Sequence, residues 1–299
     1  MTWRHIFITK PSKLSVKNSQ FVIKQENEVS IPFQDIASIT LENEVVTLTQ
    51  SVLAACAQHR ISLIGCDQKK MPVGIFTAFH QHSRQLTVLT MQQSLSKPLK
   101  KRIWQTIVKQ KISNQADCLI ELGKDGARKL QSLANQVESG DKSNREAYAA
   151  RVYFLELFGD EFTRRSSDER NKILNYGYSI MRSAVARSLV AYGFTPSLGI
   201  YHDSQTNAFN LADDFMEVLR PVVDRYVVSL TELSWTVQTR ANLVNLLNTT
   251  VALNGAKYDC SAAVDEMIKS FVAVCRQQDV TYLKLPTLSD MSESADLVI

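Results

Sequence analysis

The spacing of the apolar residues changes near residue 98, and this change restricts the folds that are open to the chain. Before it, short β-branched and alternating runs such as 29–33 and 45–48 are separated by turn signals such as 17–19. Short runs of this kind predict a small β-sandwich. One helix is expected to interrupt the strands, because Thr49 or Ser51 can cap an apolar-faced segment there.

After Pro98 the apolar residues follow the period of an α-helix, as Ile103, Ile107 and Ile112 illustrate. We therefore expect an α+β fold, in which a small N-terminal β-sandwich-like domain precedes a larger all-helical catalytic domain. The expected boundaries are 1–83 for the β domain, 84–98 for a polar linker, 99–285 for the helical domain and 286–299 for a disordered tail.

The composition is that of a soluble globular protein, with 44% hydrophobic and 21% charged residues. Five cysteines are scattered without a Cys-x-x-Cys pair, which is typical of a reducing compartment and argues against a structural zinc site. No basic cap precedes a long apolar run, and no run of about 18 apolar residues occurs. We therefore expect a cytoplasmic protein without a membrane segment.

Basic residues are concentrated between Lys97 and Lys111, where six of them occur without an acid. Lys100, Lys101 and Arg102 fall in the first turns of the predicted helix, where the helix dipole disfavours cations. Phosphate groups would favour cations at this place, so the segment is a candidate nucleic-acid contact. The alternative is a solvated lysine-rich helix face.

The stretch from Gly199 to Pro221 predicts a loop that carries His202, followed by an amphipathic helix. Glu217 lies three residues after Asp214 and four residues after Asp213 on that helix, so the three acids share one face. Acids on one face repel each other unless a cation lies between them, and a divalent metal with His202 as a nitrogen ligand would be such a cation. The alternative is that the acids are solvated and favour the helix dipole.

Glu146 is a third element of this pattern, although a structural explanation is available for it. Ser143-Asn144-Arg145-Glu146 fits a capping box, in which the glutamate reaches back to the cap amide. His80 and His82 alternate at a strand end, but no acid or cysteine nearby would complete a metal site with them. We expect these two histidines to be exposed or to contact phosphate.

The helix predicted after Ser167 or Asp168 contains three residues with expected structural roles. Gly177 inside it costs about 1 kcal/mol relative to alanine, so it is expected to permit the close approach of another backbone. Tyr176 and Tyr178 are expected to be buried in the helical core.

Glu146, His202 and Glu217 are separated in sequence but are able to converge in a folded chain. Two oxygen ligands and one nitrogen ligand suit a catalytic Mg²⁺ or Mn²⁺ ion, and a basic surface beside such an ion suits phosphodiester chemistry. The sequence lacks a phosphate-binding loop, a dinucleotide fingerprint and a Gly-x-Ser-x-Gly elbow. The residue pattern alone indicates a metal-dependent enzyme without specifying its substrate.

Three blocks of sequence resemble the CRISPR-associated adaptation integrases (CRISPR-associated protein one), the catalytic subunits that install new spacers. The blocks are Glu146-Ala147 with Ala149-Ala150 and Tyr153, then Asn175-Tyr176-Gly177-Tyr178, and then 193–202 with 210–217 and Arg220-Pro221. The order of β and α regions and the total length also agree. The third block, with Asn207-Ala208-Phe209-Asn210 and an Asp-Asp pair, is similar to the form found in type II systems.

The resemblance implies that Glu146, His202 and Glu217 are the catalytic residues and the ligands of Mg²⁺ or Mn²⁺. Many relatives have aspartate at the position of Glu217, and either acid is able to ligate a metal. Asp214 matches a second acid that supports the site in relatives, and we expect it to act in the second shell rather than on the metal.

The resemblance also implies partners and a reaction. It implies a homodimer formed through the β domains, and a heterohexamer in which two dimers flank a dimer of the small CRISPR-associated protein two. The substrates would be double-stranded DNA with free 3′ ends and CRISPR repeat DNA. The 3′-hydroxyl would attack a phosphodiester at the leader–repeat junction. In type II systems the effector nuclease and accessory adaptation proteins are further candidate partners.

Several basic residues are candidates for contact with the DNA backbone. They are Arg84, Lys97, Lys100, Lys101, Arg102, Arg145 and Arg220. Arg220 is equally able to form a structural ion pair with Asp213 or Asp214. Two other interpretations of the chain stay open, namely a non-catalytic helical DNA-binding scaffold and a metal-dependent nuclease without integration.

Overall fold

The N-terminal part of the chain forms two four-stranded sheets and one helix. The computed structural model describes residues 4–78 and 82–288. The elements of the N-terminal part are β1 (Arg4–Ile8), β2 (Ser12–Lys17), β3 (Gln20–Lys24), β4 (Glu28–Pro32), β5 (Ile36–Leu41), β6 (Val46–Leu48), α1 (Gln50–Gln58), β7 (Ser62–Cys66) and β8 (Pro72–Phe76). One sheet has the strand order β1-β5-β7-β8 and the other has the order β4-β3-β2-β6.

Both sheets contribute to one apolar core, as a β-sandwich-like region requires. Leu14 and Phe21 from one sheet lie in the same cluster as Ile36 and Ile39 from the other, and Val52 of α1 completes it. All five side chains are almost fully buried. The predicted strand-rich N-terminal region is therefore confirmed, although the parallel pairing of β1 with β5 and of β5 with β7 was not anticipated.

The remaining elements are mainly helices. They are α2 (Gln85–Gln93), α3 (Lys97–Glu121), α4 (Ala127–Asn135), α5 (Arg145–Phe158), α6 (Glu169–Ala191), α7 (Asn210–Met216), α8 (Arg220–Ser229), α9 (Val237–Asn245) and α10 (Cys260–Gln277). The long helices α3 and α6 contribute more buried residues than the shorter helices, and Ile103, Ile107 and Ile112 of α3 are fully buried. Within the described residues, no helix is long and apolar enough to cross a membrane.

Residues 84–98 are not a linker, and this prediction was wrong. Helix α2 occupies most of the segment, with Val88 and Leu95 buried in the helical core. The side chain of Gln92 donates to the carbonyls of Thr195 and Leu198 and accepts from the Thr195 amide. The glutamines of residues 84–98 suggested a solvated segment. The side-chain amide of Gln92 is instead buried, and its hydrogen bonds fix the loop that leads to His202.

A small sheet corrects two further expectations, an all-helical second region and a disordered tail from residue 286. Strands β9 (Thr250–Leu253), β10 (Ala256–Asp259) and β11 (Thr287–Leu288) form a sheet with the order β10-β9-β11. Asn114 of α3 donates to the carbonyl of Pro286 at 3.0 Å, which fixes the start of β11. The rest of the expected tail, 289–299, lies outside the described residues.

Gly177 permits a close approach to α6, although side chains of neighbouring helices, and not the predicted backbone, make that approach. A Cβ atom at this position would lie 2.4 Å from Cγ1 of Val223 on α8 and 3.1 Å from Cδ2 of Leu243 on α9. Helices α8 and α9 therefore pack against α6 at a distance that only glycine allows. Tyr176 and Tyr178, on either side of it, are buried as predicted.

Candidate active site

Glu146 projects from the first turn of α5, and its side chain does not form the predicted capping box. The residue before the helix, Asn144, adopts a left-handed conformation with φ of 51°. Asp141 caps the helix instead, accepting from the Arg145 amide at 2.8 Å and from the Glu146 amide at 3.0 Å. Because Asp141 satisfies the amides that a cap must satisfy, the carboxylate of Glu146 is available for other contacts.

Glu217 lies in a short 3₁₀ turn between α7 and α8 and is buried, with 4% of its surface exposed. Arg220 Nε donates to Glu217 Oε1 at 2.9 Å. Arg220 therefore forms an ion pair with Glu217, and the alternative pairing with Asp213 or Asp214 that the sequence left open is not the one observed. Burial alone would raise the pKa of Glu217, but the charges of Arg220 and Lys111 outweigh it and lower the pKa to about 2.

Lys111 of α3 joins Glu146 to Glu217, and the sequence analysis gave it no role in the site. Its Nζ lies 2.6 Å from Glu146 Oε1 and 2.5 Å from Glu217 Oε2. Its side chain is nine-tenths buried. Burial would lower the pKa of Lys111, but the carboxylates of Glu217 and Glu146 outweigh burial and raise it. The two carboxylates thus meet at one cation, which is the lysine ammonium.

The imidazole ring of His202 is held on its Nδ1 side by Asp214, which is fully buried. Asp214 Oδ1 accepts from His202 Nδ1 at 2.8 Å, and the same carboxylate accepts from the amides of Ile200, Tyr201 and His202. The hydrogen bond to Asp214 raises the pKa of His202 against the opposing effect of burial. Since Nδ1 carries a proton, Nε2 has the free lone pair of the neutral ring.

The three acids around α7 do not share one partner, contrary to the expectation from their spacing. Asp213 accepts from Asn207 Nδ2 at 2.7 Å and lies 3.9 Å from Arg182, whereas Asp214 faces the loop before α7. Only Glu217 of the three contacts Lys111. Within residues 4–78 and 82–288, no three His, Cys, Asp or Glu side chains are arranged to hold a metal ion.

Two aromatic rings that the sequence analysis did not select lie against His202. The ring of Tyr201 stacks on Trp104 of α3 with centroids 4.1 Å apart, and the edge of His202 contacts Trp104 at 5.7 Å. Trp104 is buried, but about half of Tyr201 is exposed. The Gly199 carbonyl of the same loop accepts from Lys100 Nζ at 3.4 Å. Helix α3 therefore supports the His202 loop as well as the carboxylates.

A cavity of about 220 Å³ lies beside Lys111, Glu146 and Glu217, and Gln115 and Asp224 also line it. Asp224 of α8 accepts from the hydroxyl of Tyr178. Burial raises the pKa of Asp224 to about 6, although this hydrogen bond and the charge of Arg220 act in the opposite direction.

An adjoining groove of about 330 Å³ is lined by three arginines. Arg164 and Arg220 both approach the ring of Tyr178, at 5.2 Å and 4.4 Å from its centroid, and Arg182 lies further along the groove. Of the three arginines, only Arg220 was predicted from the sequence to contact DNA. Guanidinium groups suit phosphate oxygens, so the groove is suited to an anionic strand that passes the carboxylates.

The other basic residues predicted to contact DNA differ in exposure. Lys97, Lys101 and Arg102 are exposed in the first turns of α3, and Arg84 is exposed just before α2. Lys100 and Arg145 are half-buried and lie nearer to the site. Their contact with DNA stays a prediction. His82 lies against Gly193, whereas His80 lies outside the described residues.

The comparison with known families identifies the chain. The family described as "CRISPR associated protein Cas1" matches residues 6–246. The chain belongs to the Cas1 family. A protein of Neisseria meningitidis serogroup C named "CRISPR-associated endonuclease Cas1" is 41% identical over 98% of this chain and 99% of the relative. A Cas1 protein of Francisella tularensis subsp. novicida is 24% identical over 77% of this chain and 79% of the relative. The resemblance found in the sequence is confirmed.

Solved structures of the family share the fold. A CAS1 protein from Thermotoga maritima has a TM-score of 0.71 at 16% identity, over 91% of this chain and 97% of that chain. A casposase bound to its integration product has a TM-score of 0.77 at 16% identity, over 100% of this chain and 96% of that chain. These likenesses confirm the predicted α+β class, with a strand-rich region before a helical one.

Proposed function

We propose that this Cas1 family member is a divalent-metal-dependent DNA strand transferase and endonuclease that inserts short DNA fragments at the leader–repeat junction of a CRISPR array. The observation that carries the proposal is the meeting of Glu146 and Glu217 at a single buried cation. Two comparisons support this class of reaction. The Neisseria relative is named an endonuclease, and the casposase that shares this fold is bound to an integration product.

The donor chemistry suits Mg²⁺ or Mn²⁺, and the Lys111 ammonium marks a place for a cation between the two carboxylates. Among the described residues the three side chains are not arranged around one point in this structure, so metal binding would have to draw them together. Glu146 and Glu217 would supply carboxylate oxygens and His202 would supply Nε2, a set that hard divalent ions accept. The charge of Glu217 contributes to the raised pKa of His202, so the two residues lie within electrostatic range. When bound, the metal would polarise the scissile phosphate and stabilise the charge on its oxygens.

The protein's own residues position the reacting strand. Asp214 fixes the ring and the tautomer of His202 through Nδ1 and holds the loop backbone through three amides. Arg164, Arg182 and Arg220 line the groove beside the carboxylates and would hold phosphates on either side of the scissile bond. No covalent intermediate with the protein is needed, because the 3′-hydroxyl of the incoming DNA is the nucleophile.

We propose the partners that the resemblance implied. These are a homodimer formed through the β region, a heterohexamer with CRISPR-associated protein two, double-stranded DNA and repeat DNA, and the effector nuclease and accessory proteins of a type II system. A complex titled "Cas6-RT-Cas1--Cas2" contains a chain with this fold, with a TM-score of 0.71 at 18% identity over 97% of this chain and 36% of that chain, which supports the companion protein. The reaction on chromosomal DNA would take place in the cytoplasm of a prokaryote.

Strand transfer of a labelled DNA fragment into a target that contains a repeat tests the proposal. The purified protein is assayed with its small companion, with Mg²⁺, with Mn²⁺ and with a chelator. We expect a joined product that depends on the metal and is lost in Glu146→Ala, His202→Ala and Glu217→Ala. Glu161→Ala removes an exposed acid outside the site and is expected to retain activity.

Two results would contradict the proposal and favour another interpretation. Joining that survives all three alanine substitutions, or DNA binding by the wild type without any joining, would favour a DNA-binding scaffold. Metal-dependent cleavage that leaves the fragment's 3′ end unjoined would favour a nuclease without integration.

A further inference from the structure

The ammonium of Lys111 occupies the place between Glu146 and Glu217 that the proposed function assigns to a metal. It contacts one oxygen of each carboxylate, and Arg220 contacts the other oxygen of Glu217. Two acids and two bases therefore balance each other in a buried site without a divalent ion. A divalent ion at the same place would be repelled by Lys111, because two cations cannot share one position in a low-dielectric site.

Two buried oxygens in the cavity next to Lys111 have neither a hydrogen-bond donor nor an ion-pair partner among the described residues. Among the described residues, neither Gln115 Oε1 nor Asp224 Oδ2 has a hydrogen-bond partner. Gln115 is 2% exposed and Asp224 is 1% exposed. The Tyr153 hydroxyl is near enough to Asp224 to lower the pKa of that carboxyl by hydrogen bonding, but in this structure it donates its single proton to the sulfur of Cys118 at 3.3 Å. The great majority of buried acceptors in proteins have a hydrogen-bond partner, so two acceptors without one in the same cavity require an explanation.

Both acceptors are placed where a displaced lysine side chain would find them. Gln115 follows Lys111 by four residues on α3, so the two side chains lie on the same face of the helix. Asp224, Gln115 and Lys111 line one cavity together with the two carboxylates. A lysine ammonium has three donors on a flexible stem, so rotation of the side chain is enough to move it from one set of oxygens to the other.

We propose that Lys111 is a positioning residue with two places in the cavity. In the metal-free protein it holds Glu146 and Glu217 together. When a divalent metal binds, Lys111 leaves the carboxylates and donates to Gln115 Oε1 and Asp224 Oδ2. Lys111 thus prevents the two carboxylates from pairing with other cations before the metal binds. Because the metal must displace it, Lys111 also lowers the affinity of the protein for the metal. This inference rests on the proposed metal site and adds a competition between the metal and the lysine.

Calorimetric titration of the full-length protein with Mn²⁺ tests the proposal without a measurement of activity. Lys111→Met removes the competing cation, and we expect it to bind Mn²⁺ at least tenfold more tightly than the wild type. Gln115→Met removes an acceptor for the displaced ammonium, and we expect at least threefold weaker binding. In the Lys111→Met background, Gln115→Met should have no effect, because the ammonium that needs the acceptor is gone.

Two further variants keep the result interpretable. Lys109→Met removes a positive charge from the same helix outside the cavity and should leave the Mn²⁺ affinity within twofold of the wild type. Lys111→Arg keeps the charge, and its planar guanidinium binds carboxylates with more hydrogen bonds, so we expect weaker binding of Mn²⁺. If Lys111→Met fails to fold, as circular dichroism would reveal, Gln115→Met and Lys111→Arg still test the competition.

The proposal is overturned if Lys111→Met binds Mn²⁺ no more tightly than the wild type while folded. It is also overturned if Gln115→Met weakens binding equally with and without Lys111. Glu146→Gln separates this failure from a failure of the proposed function. If Glu146→Gln binds Mn²⁺ as the wild type does, the metal site itself is wrong. If Glu146→Gln loses binding and Lys111→Met changes nothing, only the role of Lys111 is wrong.

Discussion

Asp214 Oδ1 lies 2.8 Å from His202 Nδ1, and the same carboxylate accepts three backbone amides of the loop that carries His202. A single buried acid therefore determines both the conformation of the loop and the protonation of the ring. The histidine belongs to an irregular loop, but its imidazole is held by a residue of helix α7. Such support is what a metal-ligating histidine requires from its neighbours.

Asp214→Asn should lower the pKa of His202 toward the ordinary histidine value. The hydrogen bond from Nδ1 to the carboxylate is the largest cause of the raised pKa, and the neutral amide loses the charge that favours imidazolium. Since the pKa is raised in the folded state, its contribution to stability is complete below pH ~6.5 and is lost as the pH rises through the folded value. NMR titration of the histidine side chains of the metal-free protein measures the shift.

His5 provides an internal control in the same spectra. It is half-buried, with Nδ1 2.7 Å from the hydroxyl of Ser38, and desolvation followed by the charge of Arg187 lowers its pKa to about 4. Its titration should be the same in wild type and in Asp214→Asn. An unchanged pKa of His202 in the variant would contradict the role of Asp214.

Gly177→Ala should destabilise the protein by about 1–3 kcal/mol or more, as the overpacking of a core does. The new methyl group would overlap Val223 and press on Leu243, so α8 would have to move away from α6. Because Glu217 and Asp224 flank this part of α8, the displacement should also reduce strand transfer. Urea denaturation measures the free energy of unfolding.

Gly65→Ala is the matched control for this substitution. A Cβ atom at Gly65 meets no atom of the described residues within 4 Å, and the backbone there has no positive φ. Its free energy of unfolding should therefore stay within about 0.5 kcal/mol of the wild type, or rise slightly. If both variants lost the same free energy of unfolding, the overlap of the new methyl group at position 177 with α8 would not be the cause of the destabilisation.

The sequence identified the residues whose chemistry is visible in their type and spacing. Glu146 and Glu217 meet at one cation, and His202 is held by the acid that was expected to support it. Lys111 was not found, because it ends a run of basic residues that pattern alone assigns to solvent or phosphate. Only the tertiary packing of α3 against α5 and α8 places that lysine in the interior, and no local signal records such packing.

Two other local patterns predicted structure that the chain does not form. The sequence at Glu146 fits a capping box, but Asp141 caps the helix by accepting from the amides of Arg145 and Glu146. The glutamines of 84–98 indicated a linker, yet Gln92 is used by a loop more than a hundred residues away. Asp141 lies close to Glu146 in sequence but outside the spacing of a capping box, whereas only the fold brings Gln92 to its partners.

Glu42→Gln should destabilise the protein by about 3–5 kcal/mol, because it leaves a buried guanidinium without its counterion. Arg240 of α9 contacts both oxygens of Glu42, at 2.5 Å and 2.7 Å, and both side chains are buried. This ion pair joins the strand-rich region to the helical region. Urea denaturation, followed by circular dichroism, measures the loss.

Removal of both charges tests whether Glu42→Gln destabilises the protein because it leaves the charge of Arg240 buried without a counterion. Glu42→Leu with Arg240→Met replaces the pair by apolar groups, and we expect it to be more stable than Glu42→Gln alone. Arg240 also donates to the carbonyl of Trp235 at 2.9 Å, so a part of the loss should remain. A Glu42→Gln variant within about 1 kcal/mol of the wild type would contradict the role of the pair.

Asp224→Asn should change the dependence of stability on pH between about 4 and 6. Burial raises the pKa of Asp224 from 3.8 to about 6, so the folded protein binds this proton more tightly than the unfolded chain does. The free energy of unfolding therefore falls as the pH rises through this window, by at most about 3 kcal/mol, and Asp224→Asn should lack this fall. Glu217, with its lowered pKa, contributes in the opposite direction below pH 4.5, but it is present in both proteins. Urea denaturation of wild type and variant at several pH values isolates the contribution of Asp224, and a constant difference between them would contradict the raised pKa.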